Sequence, residues 1–115
     1  MSVGLGIQIE EKKGKHLVHI KGRLDAANTP KLELKLNELI SGGGERVILD
    51  FAKIDYLSSA GIRLLLAMAK RLSAQGGFKL CAIRRDVMEI IKMAGFDRIL
   101  EIYGTEKEAL AAFSD

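Results

Sequence analysis

Two adjacent serines stand where a hydroxyl group could cap a helix or carry a modification. Ser58 and Ser59 follow the acidic turn "KIDYL" and precede the apolar stretch "AGIRLLL". A serine just before a helix often caps it, because its oxygen accepts a hydrogen bond from a free backbone N–H group. The same position suits a phosphate, because the free N–H groups and the helix dipole favour an anion. The pair is therefore interpreted either as a cap or as a phosphorylation site.

The apolar pattern after the serines predicts which side of the helix faces outward. At about 100° per residue, one stripe is apolar and should face the core. This stripe contains Ile62, Leu65, Leu66, Ala69 and Leu72. The opposite side contains Arg63, Ala67, Lys70 and Ala74, and the flanks contain Leu64 and Arg71. Arg63 and Lys70 are therefore candidate contacts for a partner protein.

Catalytic motifs find little support in the sequence. Ser59 lies two residues before Gly61, as in a nucleophile elbow, but position 57 is Leu and no histidine follows the serine. The stretch "SGGGE" lacks the Gly-Lys-Ser/Thr that completes a phosphate-binding loop. His16 and His19 are three residues apart in a predicted strand, so they point to opposite faces and cannot share one metal. We expect no enzyme, no metal site and no cofactor.

Composition favours a small cytoplasmic protein. The 115 residues suit one domain, residues 1–115. No apolar run approaches about 18 residues, so no membrane insertion is expected, and the N-terminal residues lack the pattern of a secretory signal. The single cysteine, Cys81, is interpreted as a small buried hydrophobe. The net charge of +3 is spread along the chain and Trp is absent, which argues against nucleic-acid binding.

Strand-like and helix-like segments alternate along the chain. Strands are expected at "GIQIE", "HLVHIKG", "RVILDF", "FKLCAI" and "ILEIY", the first two forming a hairpin. Helices are expected at "NTPKLELKLNELI", from the double serine to about Ala74, at "DVMEIIKMAG" and at "TEKEALAAF". The expected helix starts are Thr29 as a cap before Pro30, Asp86 with Glu89, and Thr105 with Glu108, and Gly95 is an expected stop. This order predicts an α/β fold, with a mixed, mostly parallel sheet of about five strands and about four helices.

The segment "ERVILDFAKIDYLSSAGIRLLL" resembles the central signature of STAS domains, in particular the bacterial anti-sigma factor antagonists. In that signature a hydrophobic strand ending in Asp precedes a turn, a phosphorylatable serine, a small residue, Gly and an aliphatic residue. Ser59, Ala60, Gly61 and Ile62 match the last four positions. The likeness extends upstream through "IKGRLD" and downstream almost to the end of the chain.

The resemblance implies a partner-switching regulator without catalytic activity. Such proteins bind a serine-kinase anti-sigma factor of the GHKL type and thereby liberate a sigma factor. The kinase phosphorylates the antagonist and releases it, and a PP2C-type serine phosphatase restores it. By position, Ser59 is the phosphoacceptor and Asp25 is the acidic residue on the neighbouring loop. The usual residue before the phosphoserine is Asp, whereas this chain has Ser58, which is a second candidate hydroxyl.

Two other interpretations stay open at this stage. A STAS domain can also be an unmodified subunit of a signalling scaffold or a transporter complex, with Leu64 and the outer helix face as constant contact surface. The third class is an enzyme, which a nucleotide or metal bound tightly to the purified protein would favour. For the leading interpretation, the expected partner-binding residues are Asp25, Ser58, Ser59, Gly61, Arg63, Leu64 and Lys70.

Overall fold

A five-stranded sheet with helices on both faces organises the chain, in a computed structural model that describes residues 4–113. In chain order the elements are β1 (Gly6–Lys12), β2 (Lys15–Leu24), α1 (Thr29–Ser41), β3 (Arg46–Leu57), α2 (Ser59–Leu72), β4 (Gly77–Cys81), α3 (Arg85–Met93), β5 (Glu101–Tyr103) and α4 (Glu106–Ala112). The predicted element order and fold class are confirmed.

The strands lie in the sheet in the same order as in the chain, from β1 to β5. β1 and β2 are antiparallel, and every other neighbouring pair is parallel. Lys13 and Gly14 form the hairpin turn, both with positive φ (53° and 80°), as a tight two-residue turn requires. The sheet is therefore mixed and mostly parallel, as predicted.

Most of the core lies between one face of the sheet and helices α1, α2 and α3. Alternate strand residues point to this face, as the two-residue period of a strand dictates. They include Val18, Ile20, Val47, Leu49, Phe51 and Leu80. The helices contribute Leu32, Leu36, Leu65, Leu72, Val87 and Ile91, among others. Burial of this apolar surface is what holds the three helices to the sheet.

Helix α4 covers part of the opposite face. Leu17, Ile48 and Cys81 from three strands pack there with Ala109 and Phe113. Cys81 is fully buried, which confirms its prediction as a small core residue. Burial, followed by the nearby negative charges of acidic side chains, raises the pKa of the Cys81 thiol to about 12. The rest of this face, towards β1, is not covered by the described helices.

Several element ends differ from the prediction. β3 extends beyond "RVILDF" to Leu57, because Ile54 and Leu57 are buried and pair with β2. α2 ends at Leu72, two residues before the expected Ala74.

Two of the three predicted helix starts are wrong by a residue or more. Asn28, not Thr29, is the N-cap position of α1, and the Thr29 hydroxyl donates to the Asp25 carbonyl at 2.6 Å. α3 begins at Arg85, and the Asp86 carboxylate accepts from the N–H of the next residue instead of capping.

The remaining helix signals are confirmed. Thr105 caps α4, since its hydroxyl oxygen accepts from the Glu108 N–H at 3.1 Å. Gly95 follows the end of α3 with φ +81°, a conformation that glycine adopts without strain. Over residues 4–113, the helices are all too short or too polar to cross a bilayer.

Candidate functional site

Ser58 is the N-cap of α2, and both hydrogen-bonding roles of its hydroxyl are used. The Oγ atom accepts from the Gly61 N–H at 3.2 Å and donates to the Leu24 carbonyl at 3.0 Å. The Ser58 backbone N–H donates to the same carbonyl at 3.0 Å. These bonds tie the start of α2 to the end of β2. A phosphate on Ser58 would therefore cost the helix its cap.

Ser59 is the first residue of α2 and has the opposite character. Its side chain is exposed, and its hydroxyl makes no hydrogen bond to any residue between 4 and 113. The helix it starts is 14 residues long, and its first turn contains no acidic residue. The hydroxyl therefore lies at the positive end of a helix dipole, open to solvent and to another protein.

Gly61 is buried where α2 comes closest to the strand ends. A Cβ atom at this position would lie 2.7 Å from Leu57 Cδ1 and 3.0 Å from the Leu24 carbonyl oxygen. A larger residue would push the first turn of α2 away from the sheet. Gly61 therefore positions Ser58 and Ser59 through its small size and offers no exposed contact.

Asp25 lies at the same edge of the sheet as the serines. Leu24 and Leu57 are partners in the β2–β3 register, so the residues that follow them leave the sheet side by side. The Asp25 carboxylate, 29% exposed, accepts from the Asn28 N–H at 2.8 Å and lies 3.8 Å from Arg23 Nε. The Asp25 carboxylate organises its own loop and makes no hydrogen bond to Ser59 among the described residues.

The outer face of α2 is basic. Ser59, Arg63 and Lys70 are all exposed, and their spacing of four and seven residues places them on one side of the helix. Arg71 lies beside them and donates to the Asn37 side chain of α1 at 2.6 Å. No acidic residue occurs in α2. A partner that docks here meets positive charge along the helix and a neutral hydroxyl at its start.

The expectation that Leu64 lies on the flank and offers contact surface is wrong. Its side chain is only 5% exposed and belongs to the core, as does Met68 at 4%. α1 packs beside α2 and covers the flank that contains Leu64. The buried part of α2 is therefore wider than the single apolar stripe that the sequence predicted. Leu66 and Ala69, which were expected in the core, are only partly buried. A helix wheel cannot show this, because it contains no information on which flank a second helix covers.

Comparison with known proteins agrees with this architecture. The family model of the STAS domain matches residues 6–109. This chain belongs to the STAS domain family. It is 33% identical over 108 residues to BtrV of Bordetella bronchiseptica, a candidate anti-sigma factor antagonist, with 93% of each chain covered. It is 26% identical over 110 residues to the anti-sigma F factor antagonist of Paenibacillus polymyxa, with 94% of each covered.

Solved structures share the STAS fold. An anti-sigma factor antagonist from Mycobacterium paratuberculosis superposes with a TM-score of 0.88 at 24% identity, covering 96% of this chain and 95% of the other. The antagonist SpoIIAA in its unphosphorylated form gives 0.75 at 21% identity, covering 91% and 93%. Bacillus SpoIIAA in its phosphorylated form gives 0.68 at 20% identity, covering 92% and 97%. The predicted fold and family are thereby confirmed.

Proposed function

We propose that this STAS protein is an anti-sigma factor antagonist, and that phosphorylation of Ser59 ends its binding to the anti-sigma factor. The observation that carries the proposal is the division of roles between the two serines. Ser58 caps α2 with both of its hydrogen-bonding roles used, which leaves the exposed Ser59 hydroxyl without a structural task. Two relatives whose names include the same activity cover almost the whole chain.

Phosphorylation of Ser59 would have different effects on the stability of the domain and on the binding of a partner. A phosphate adds about −1.5 to −2 charge. Inside, the free N–H groups of the first turn of α2 favour that charge, and the Arg63 guanidinium follows four residues later on the same side. The modified domain should therefore stay folded. Bacillus SpoIIAA, which shares the fold, has been solved in a phosphorylated form.

Outside, the same phosphate changes the surface that a partner meets. A partner that fits the basic face around Arg63 and Lys70 must itself be acidic or neutral there. The phosphate would place a bulky anion against such a surface. A penalty of about 4 kcal/mol would weaken binding roughly a thousandfold, which is enough to act as a switch.

The contact residues are assigned by exposure. Arg63 and Lys70 would touch the partner directly, next to Ser59, and Asp25 would lie at the rim of the contact. Ser58 and Gly61 would act by fixing the start of α2. Leu64 would support the helix from the core without touching the partner.

The finer partner assignments follow the family resemblance. The anti-sigma factor would be a serine kinase of the GHKL type that modifies Ser59 with its own ATP, and a PP2C-type phosphatase would remove the phosphate. The cycle would take place in the cytoplasm, where ATP and sigma factors are found. The antagonist would supply the hydroxyl and the docking surface and would catalyse nothing itself.

The assignment of Ser59 is tested by intact-mass measurement after incubation with the cognate kinase and ATP. We expect one added phosphate on the wild type and on Ser58→Ala, and none on Ser59→Ala. Ser73→Ala, at the other end of the same helix, is the matched control and should still gain the phosphate. Phosphate on Ser59→Ala would refute the assignment.

The switch itself is tested by binding to the anti-sigma factor. We expect Ser59→Ala to bind constitutively and Ser59→Asp to lose most of its affinity while keeping its fold. Circular dichroism would establish that both variants are folded. If neither variant changes binding and no phosphate is gained, the chain acts instead as an unmodified subunit of a larger assembly.

A further inference from the structure

Three side chains from three different elements meet on the sheet face that α4 leaves open. They are Glu10 of β1, His19 of β2 and Glu106 of α4, and one ligand atom from each lies within 4.8 Å of the others. His19 Nε2 is 2.7 Å from Glu10 Oε1 and 4.0 Å from Glu106 Oε1. An imidazole nitrogen with two carboxylate oxygens is a common donor set for a divalent metal ion.

A fourth side chain, Asp50, is hydrogen-bonded to the other nitrogen of the His19 imidazole. His19 Nδ1 lies 2.7 Å from Asp50 Oδ2, and since an ionised carboxylate can only accept, the nitrogen donates. The other oxygen of Asp50 accepts from the Ala52 N–H at 2.9 Å, which fixes the carboxylate. Metal-bound histidines typically donate their second N–H to a carboxylate in this way. The arrangement aims Nε2 at the two glutamates.

The local charge also favours a cation. Lys12 Nζ contacts Glu106 Oε2 at 3.0 Å, which leaves Oε1 facing His19. With a neutral imidazole, the three carboxylates of the cluster outnumber the one ammonium group that pairs with them, and Lys21 and Lys53 also line the same cavity.

Solvent can reach this cluster. A cavity of about 820 Å³ opens on the uncovered sheet face, and Glu10, His19 and Asp50 are among the residues that line it. The side chains of Glu10, His19 and Glu106 are 47%, 28% and 31% exposed. An ion could enter without unfolding the sheet and could keep water in its remaining coordination positions.

We propose that Glu10, His19 and Glu106 bind one divalent transition-metal ion of the Zn²⁺ class, with Asp50 orienting His19. The imidazole ligand favours such ions over Mg²⁺ and Ca²⁺, which prefer oxygen ligands. His16 is not part of this site, because it lies three residues before His19 in β2 and its side chain points to the opposite face of the sheet. The other two ligands of His19's site are the carboxylates of Glu10 and Glu106, which are far apart in the sequence.

The ion would link the β1–β2 hairpin to α4. This site lies on the sheet face opposite α2, so metal binding is independent of the docking surface around Ser59. Failure of one proposal would leave the other untouched.

Calorimetric titration of Zn²⁺ into the full chain, free of any purification tag, tests the site. We expect one ion per chain. His19→Ala and Glu106→Gln should abolish binding, and Asp50→Asn should weaken it about 10–100-fold, as is typical for a residue that orients a ligand. Glu11→Gln is the matched control, because the next residue in β1 points to the opposite face of the sheet.

Co²⁺ provides a second readout, since its visible absorption reports ligand number and geometry. Loss of the Co²⁺ spectrum in Glu106→Gln, but not in Glu11→Gln, would support the site even if His19→Ala failed to fold. The proposal is overturned if the wild type binds neither ion at about millimolar concentration, or if binding is equal in Glu106→Gln.

Discussion

Two neighbouring hydroxyl groups have separate roles at the start of α2. The Ser58 hydroxyl accepts from the Gly61 N–H and donates to the Leu24 carbonyl, whereas Ser59 is exposed to solvent. The family signature predicted Ser59 as the modified residue, and the hydrogen bonds give an independent physical reason. Capping rules alone could not separate the two serines, because either one could have been the N-cap.

This division of roles predicts unequal costs of removing each hydroxyl. Ser58→Ala should lower the free energy of unfolding by about 1 kcal/mol, because the cap of α2 is lost. Ser59→Ala should change it by less than about 0.5 kcal/mol, as expected of an exposed residue whose hydroxyl makes no hydrogen bond within residues 4–113. Urea denaturation of both variants measures the difference. Equal losses would contradict the assignment of Ser58 as the sole cap.

At the scale of elements, α2 presents an unbalanced charge distribution. Its first turn contains no acidic residue, and its last turn contains Lys70 and Arg71, which already complement the dipole at that end. The N-terminal end is therefore the end at which an added negative charge should stabilise the helix. This is the property that lets an anion be added at Ser59 without cost to the fold.

A pair of acidic substitutions at the two ends of α2 tests this property. Ser59→Asp should raise the free energy of unfolding by about 0.3–1 kcal/mol, and Ser73→Asp, at the C-terminal end, should lower it by a similar amount. Both effects should shrink as salt is added. Thermal unfolding at low and high ionic strength measures them. Equal signs for the two variants would exclude the dipole as the cause.

The order and type of the elements were predictable from sequence, but several boundaries were not. β3 continues through Lys53 and Asp55 because Ile54 and Leu57 reach buried sites next to β2, with a register shift that no local pattern shows. Leu64 is buried because α1 covers one flank of α2. The cluster around His19 also escaped prediction, since Glu10 and Glu106 meet it only through strand register and the return of α4.

At the scale of the whole molecule, the two faces of the sheet are protected unequally. Three helices cover one face, and the short helix α4 covers only part of the other. Cys81 lies under α4 and is fully buried. Its access to reagents therefore reports whether that layer stays in place.

Thiol labelling of Cys81 tests the integrity of this layer. The pKa of about 12 leaves roughly a thousandfold less thiolate than a pKa of 9 would, because each pKa unit is a factor of ten. We expect almost no reaction with a thiol reagent at pH 8 in the native protein and rapid reaction in urea. Fast labelling of the native chain would mean that α4 detaches easily.

The identical order of the strands in the sheet and in the chain bears on how the molecule is made. From β2 onward, each strand pairs with the strand synthesised immediately before it. A chain emerging from the ribosome can therefore extend the sheet one strand at a time, without waiting for a distant segment. Such sequential pairing keeps the mean separation of contacts low and favours rapid folding for a largely parallel sheet.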